Sequence, residues 1–193
     1  MGDPKKQRKK FETPRFRWRR DILQEELRLI GQYGLRNKHE LWRHKTMLSN
    51  ARGIARSLIG KTPEERIKME NELLIRLKKL GLLDETAVLD KVLDLSIEDL
   101  LERRLQTIVF RKGLSRTVFQ SRQLITHGHV NIGNRRVTVP SYIVRKDEES
   151  QVTYSPQSAI VAEAHPLRQA LSIVAKEPEM RPPTRGRRGG RRF

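Results

Sequence analysis

The chain has 193 residues, enough to bury a core in one or two small domains, and carries 41 Lys and Arg against 23 Asp and Glu, a net charge of +18. That excess predicts attraction to polyanions, either nucleic acid or an acidic membrane surface, and says little about fold. Cysteine is absent, which excludes disulfides and thiolate metal sites; no apolar run reaches the ~18–20 residues of a membrane span, and the N-terminus lacks the apolar stretch of a signal peptide. With aromatic residues at 5%, phosphate contact by Lys and Arg is favoured over base stacking as the main mode of binding.

Residues 1–20 hold nine basic and two acidic side chains, with Pro4 and Pro14 and no apolar periodicity. They read as an arm that orders only on a partner. From Asp21 to about Arg111 the pattern is helical. Ile22, Leu23, Leu27 and Ile30 recur at helical spacing until Gly34 interrupts. Asn37 and Glu40 form a capping-box pair for a helix from Lys38 to Ile59, with Gly60 beyond it. Thr62-Pro63-Glu64-Glu65 starts another helix, running to Leu80 and stopping at Gly81. A shorter helix is expected from about Glu85 to Leu93. Ser96 with Asp99 then caps one continuous helix from Ile97 to Gly113.

The Lys38–Ile59 helix separates its faces. Leu41, Leu48, Ala51, Ala55 and Leu58 share one arc, and Lys38, Lys45, Arg52 and Arg56 form a stripe beside it. No acidic residue of the helix interrupts that stripe. It is either a phosphate-binding edge or an ordinary solvated face.

After Gly113 a short helix begins at Thr117, with Gln120 completing a capping box. Val118, Ser121 and Ile125 point one way and Arg116, Gln120 and Gln123 the other, with Arg122 on the flank. Gly128 fits the left-handed position just past a helix end. The apolar period then changes to two, at Val130 and Ile132 and at Val137 and Val139, around a Gly133-Asn134 hairpin turn. Further strands are expected at 141–145, at 151–154 and around Ile160–Ala162. The chain ends in Arg/Gly-rich low-complexity sequence that cannot pack a core. The fold class is therefore α+β: a mostly helical N-terminal region, a small helix-and-antiparallel-sheet module, and disordered basic termini. The expected divisions are a basic arm over 1–20, a helical domain over 21–100 continuing into the helix at 97–111, the module over 101–163, and a C-terminal segment over 164–193.

Residues 104–143 also carry a resemblance. Arg104-Leu105, Gly113, Ser121-Arg122-Gln123-Leu124-Ile125, His127 to Val130 and Pro140-Ser141 resemble the S-four RNA-binding module. The flanking "YGLRNKHELWR", "LLIRLKKLGLLDE" and "IEDLLERRLQT", with the basic arm and tail, resemble the archaeal and eukaryotic branch of the S-four family of small-subunit ribosomal proteins, S-nine in older eukaryotic naming. The similarity covers most of residues 1–165. It implies a structural protein, without enzymatic activity or cofactor, held in the cytoplasm within the small ribosomal subunit. It further implies early binding to small-subunit rRNA near a multi-helix junction, neighbouring ribosomal proteins as partners, and a place near where messenger RNA enters, with influence on decoding accuracy. Three departures stand out: Thr117-Val118 where relatives of the module often have Ser/Thr-Arg, Gly-Asn rather than Asn-Gly in the hairpin, and no cysteine for the metal cluster of some bacterial relatives.

The candidate RNA-binding residues are Lys45, Arg52 and Arg56 on the stripe. In the module they are Arg103, Arg104, Arg111, Lys112, Arg116, Arg122, Gln123, His127, His129, Asn131, Arg135 and Arg136. A planar guanidinium binds one phosphate through two hydrogen bonds, and residues 103–146 contain no acidic residue. Arg103 or Arg104 alternatively pairs with Glu102 or Asp99. His127 and His129 lack a third ligand at metal spacing and a nearby carboxylate for acid–base work, so they serve either as polar caps or as RNA contacts. Two other functions compete with a ribosomal one. An RNA-modifying enzyme such as a pseudouridine synthase needs a separate catalytic domain, and a stress-type RNA chaperone usually lacks the long helical region.

Overall fold

The structure is a computed structural model and describes residues 9–162 and 165–169. The expected Arg/Gly tail and the first eight residues of the arm lie outside the described residues. The first helix, α1 (Arg20–Tyr33), ends on Gly34, whose φ of 57° is left-handed and whose N–H returns to Ile30 O. A Cβ at Gly34 would lie 2.9 Å from both Gln106 Nε2 and Val118, so space and conformation together require glycine. Of the four apolar positions that suggested this helix, Leu27 is exposed, while Glu26 beside it is buried.

Helix α2 (Lys38–Ile59) begins on Asn37, whose Oδ1 accepts from Glu40 N at 3.1 Å. The reciprocal half of the capping box does not form, because the Glu40 carboxylate is drawn to Arg104 and Arg122 instead. Helix α3 (Pro63–Lys79) has Pro63, Glu64 and Glu65 in its first turn, but Thr62 makes no side-chain cap. Helix α4 (Leu89–Asp94) starts later than the expected Glu85. Before it the chain makes a turn, with Ala87 N on Asp84 O at 3.1 Å and Lys78 Nζ on Glu85 O at 2.6 Å.

The continuous helix expected from Ile97 to Gly113 is two helices, α5 (Ile97–Glu102) and α6 (Leu105–Arg111). The full Ser96–Asp99 capping box opens α5 as expected. The break at Arg103-Arg104 comes from long-range pairing. Leu105 N donates to Tyr142 O at 2.8 Å, Val144 N donates to Arg103 O at 2.9 Å, and Arg104 and Ile143 form an isolated antiparallel bridge. The Thr107 hydroxyl takes the Leu101 carbonyl at 2.8 Å across the gap. Helical periodicity in 97–111 carries no trace of a partner forty residues away.

Helix α7 (Val118–Thr126) leads to β1 (Val130–Ile132) and β2 (Arg135–Arg136), followed by α8 (Lys146–Glu149), β3 (Val152–Tyr154) and a 3-10 turn at Ala159–Val161. The sheet order is β2-β1-β3, with both pairs antiparallel. Ile132 pairs with Arg135, leaving Gly133-Asn134 as a two-residue loop. Gly133 has φ 56° and Asn134 does not have positive φ, which excludes the type I′ turn that needs both.

Of the strands expected after the hairpin, 151–154 corresponds to β3. Segment 141–145 contributes a single bridge, because its backbone partner is the break between α5 and α6 rather than a strand. Ile160–Ala162 overlaps the 3-10 turn, which Ser158 caps at Ile160 N, 3.2 Å. The unforeseen α8 closes through Glu148, which accepts from Arg145 N and from the Tyr142 hydroxyl.

Among the described residues, three buried clusters hold the chain together. One joins α2, α3 and α4 through Leu48, Ala55, Leu58, Leu74, Leu77 and Val92. A second joins α1, α2 and α5 through Leu29, Tyr33, Leu41 and Leu101. The third belongs to the module, where Leu105, Ile108, Val109, Leu124, Ile125, Val130, Ile132 and Val144 pack together. Each such side chain contributes about 1.5–3 kcal/mol on burial, which is what holds so small a sheet in place.

Candidate nucleic-acid interface

The local chemistry of α7 sets out the exposed face of the module. Thr117 Oγ1 accepts from Gln120 N at 3.1 Å, and Gln120 Oε1 reaches one residue past the cap to Arg116 N at 2.7 Å. The capping box is thus displaced by one residue, which ties Arg116 to the helix start. Ser121, Leu124 and Ile125 turn inward, while Arg116, Phe119, Gln123, Thr126 and His127 are exposed. The Arg116 guanidinium has no hydrogen bond or ion pair among the described residues.

Gly128, at φ 78°, turns the chain from α7 into β1. Arg136 Nη2 donates to His127 O at 3.1 Å, so its guanidinium caps the helix end from the hairpin. A Cβ on Gly128 would fall 2.0 Å from Arg136 Nε, so glycine is what admits the arginine. Arg135 lies over the Tyr142 ring at 5.8 Å. Both hairpin arginines are exposed.

The other candidate cations of the module are engaged by groups of the protein itself, Arg103, Arg104 and Arg122 turned inward and Arg111 and Lys112 at the surface. Arg104 is 0% exposed, with Nη2 on Glu40 Oε2 at 2.9 Å and Nη1 on His44 Nε2 at 2.9 Å. Arg122 grips the same carboxylate at 2.6 Å. Arg103 binds Glu149 at 2.6 Å and Val144 O at 3.2 Å, and Lys112 reaches the carbonyls of Glu149 and Val152. Arg111 pairs with Glu102 at 2.7 Å near the surface. The alternative to RNA contact, pairing of Arg103 or Arg104 with Glu102 or Asp99, takes another form: Arg103 pairs with Glu149 and Arg104 with Glu40. A cation enclosed as Arg104 is offers no donor to a ligand, so its placement here is structural.

Glu40 shows how tightly this cluster is balanced. Burial works against its charge, yet the guanidiniums of Arg122 and Arg104 hold its carboxyl below the usual carboxylate value. A guanidinium cannot accept a hydrogen bond, so His44 Nε2 must be the acceptor and Nδ1 carries the proton. Burial, and then the charges of Arg104 and Arg43, push the His44 pKa down to about 4. Sequence reading missed His44 as part of this cluster.

The α2 stripe is also largely committed. Glu26 of α1 is buried, accepts from Trp42 Nε1 at 2.8 Å, and pairs with Lys38 at 3.3 Å and Lys45 at 3.5 Å. Arg52 donates to Leu95 O, and Arg56 stays exposed with Nε on Arg52 O at 3.4 Å. The acid missing from the stripe comes from the neighbouring helix.

His127 is exposed; His129 is half-buried, with Nδ1 on Ser158 Oγ at 2.8 Å, and the two rings stand 6.1 Å apart. Among the described residues, no group of three His, Cys, Asp or Glu side chains converges on one point. Asn131 is buried, and its Oδ1 has no partner among the described residues. Phe119, 62% exposed, was not singled out from sequence, although its spacing to Arg116 and Gln123 puts it on their face.

Residues 103–150 match the family model described as S4 domain. The chain is 54% identical over 158 residues to the small ribosomal subunit protein uS4 of Hyperthermus butylicus, covering 82% of this chain and 90% of that protein. It is 53% identical over 158 residues to uS4 of Ignicoccus hospitalis, covering 82% and 95%. Against uS4 of Metallosphaera sedula it is 50% identical over 159 residues, covering 82% and 88%. With at least half of the aligned residues shared along nearly the full length of these relatives, and the S4 domain falling on the α6–α8 region, the chain belongs to the uS4 family of small ribosomal subunit proteins.

Proposed function

We propose that this protein is a structural, non-enzymatic constituent of the small ribosomal subunit in the cytoplasm, and that it binds small-subunit rRNA directly through the exposed α7 and hairpin face. The observation that carries this reading is a sorting of charge. Arg104, Arg122 and Arg103 are neutralised by Glu40 and Glu149, and Arg111 near the surface by Glu102, whereas Arg116, Arg135 and Arg136 stand exposed with no carboxylate partner among the described residues, beside Gln123 and His127. Arg136 is oriented by the helix-end carbonyl and Arg135 by the Tyr142 ring, so both arrive partly preorganised. Guanidiniums on a rigid helix–hairpin corner suit the backbone of folded RNA, which is recognised largely by shape. Arg56, and Lys112 at the margin, add exposed charge to the approach. Family membership supports the finer reading: early binding near a multi-helix junction, a part in subunit assembly, neighbouring ribosomal proteins as partners, and a place near the entering messenger RNA with influence on accuracy.

The test is binding of an rRNA fragment by the R116Q/R135Q/R136Q variant across a salt series. Affinity should fall, and the log–log salt slope should shrink by roughly 0.7–0.9 per lost phosphate contact. An unchanged slope and affinity would overturn the reading.

A further inference from the structure

We infer that Arg15–Arg20 is a second RNA contact, one that works by stacking: Trp18 receives an unpaired base of single-stranded RNA while the flanking arginines hold its phosphates. The inference rests on RNA being the partner, but on residues separate from the α7–hairpin face.

Trp18 is 88% exposed, the most exposed large apolar side chain among the described residues, and Phe16, two residues before it, is 62% exposed. The other tryptophan, Trp42, is buried with its indole N–H on Glu26. Large aromatic rings gain most of their stabilisation from burial, so two left bare side by side mark a surface awaiting a partner.

This segment is held at both ends. Phe11 packs on His39 at 4.7 Å and on Trp42 at 6.1 Å, and Glu12 N donates to Thr46 Oγ1 at 2.9 Å. At the other end α1 starts at Arg20, with Leu23 N on Arg19 O at 3.0 Å. Between these anchors the chain turns at Arg17-Trp18, around an open space of about 500 Å³ bounded by residues 15–19.

The chemistry selects the occupant. The order Arg-Phe-Arg-Trp-Arg-Arg alternates cation and ring, as a single strand alternates phosphate and base. Asp21, the nearest acid, is taken by Arg19 at 3.6 Å, and Arg15 lies over the Phe16 ring at 5.5 Å. In a duplex the bases are already stacked on one another, so a protruding indole gains nothing from them. A strand with splayed bases can stack on Trp18, and every base has a face to offer.

The experiment titrates tryptophan emission of the full-length protein with a short single-stranded RNA and with the same sequence as a duplex. Because Trp42 is buried, the difference between wild type and W18F isolates the Trp18 signal. The single strand should quench that signal and the duplex should not. W18L keeps the apolar bulk and loses the ring; it should bind the single strand roughly five- to a hundredfold more weakly with an unchanged salt slope, while W18F keeps most of the affinity. The R116Q/R135Q/R136Q variant should retain the quench, which separates this contact from the module's. Equal quenching by duplex, unaltered affinity in W18L, or a salt slope that falls with the ring would each overturn the proposal. So would silence towards both RNAs, which would leave a protein as the partner of Trp18.

Discussion

The basic stripe of α2 and the basic face of the module are alike in sequence and opposite in structure. Lys38 and Lys45 look free along their own helix, yet both are spent on Glu26, a carboxylate buried in α1. Arg116 and Arg135 have no such partner among the described residues and remain available to a ligand. What decides is whether another element delivers a carboxylate to the spot. Charge counted along a chain measures attraction to polyanions; charge left over after folding locates it.

The contrast breaks most visibly at Glu40. Its replacement by Gln leaves Arg104 enclosed without a counter-charge, and urea unfolding should report a loss of about 3–5 kcal/mol, the usual cost of stranding one partner of a buried pair. A loss below about 1 kcal/mol would mean that Arg104 escapes to solvent.

Acid should probe the same cluster with a somewhat smaller effect. Folded His44 titrates at about 4 against 6.5 when free, so between those values the unfolded chain takes up a proton the folded one refuses. This contribution is complete above pH 6.5 and is lost as pH falls towards 4, up to about 3 kcal/mol in all. Stability measured from pH 7 to 4 should show that slope, and His44→Gln should flatten it. Glu40, its pKa lowered, adds a loss of the same sign at still lower pH. A slope that persists in the variant would assign it to other groups.

A smaller effect contrasts the two basic surfaces directly. Lys38→Gln with Lys45→Gln should cost about 1–2 kcal/mol in thermal or urea unfolding, because Glu26 loses its cations, and should leave the salt slope of rRNA binding nearly untouched. Arg116→Gln with Arg135→Gln should do the reverse, with stability within about 0.5 kcal/mol of wild type and a shallower slope. Equal effects of the two pairs on binding would erase the distinction between the two surfaces.

Much of this was legible where the determinants are local. Asn37, Ser96 and Thr117 cap the helices they precede, Gly34 and Gly128 supply left-handed turns, and Gly133-Asn134 joins two strands. Each depends on a residue and its near neighbours. The failures share the opposite property. Nothing near Arg103 forecasts that Tyr142 and Val144 will pull the helix apart, and nothing near Tyr142 forecasts that its partner is a helix break rather than a strand. The buried Glu26 and half-buried Glu40 are the same lesson in side chains. Glu26, which no local pattern singles out, and Glu40, expected in a capping box, become counter-ions because cations from elsewhere close over them.

The seam at Arg104 and Gln106 bears on how such a protein can be taken apart. Arg104 projects from the start of the S4 match onto Glu40, and the Gln106 amide donates to Gly34 O and Val118 O at 3.0 Å each, fastening the end of α1 to the start of α7. A graft of 103–150 onto a foreign scaffold would carry a naked guanidinium and an unanchored amide into the new junction. The unit that can be transplanted intact is larger than the one a motif delimits: it includes the Gly34–His44 cradle, and the two travel as one cassette.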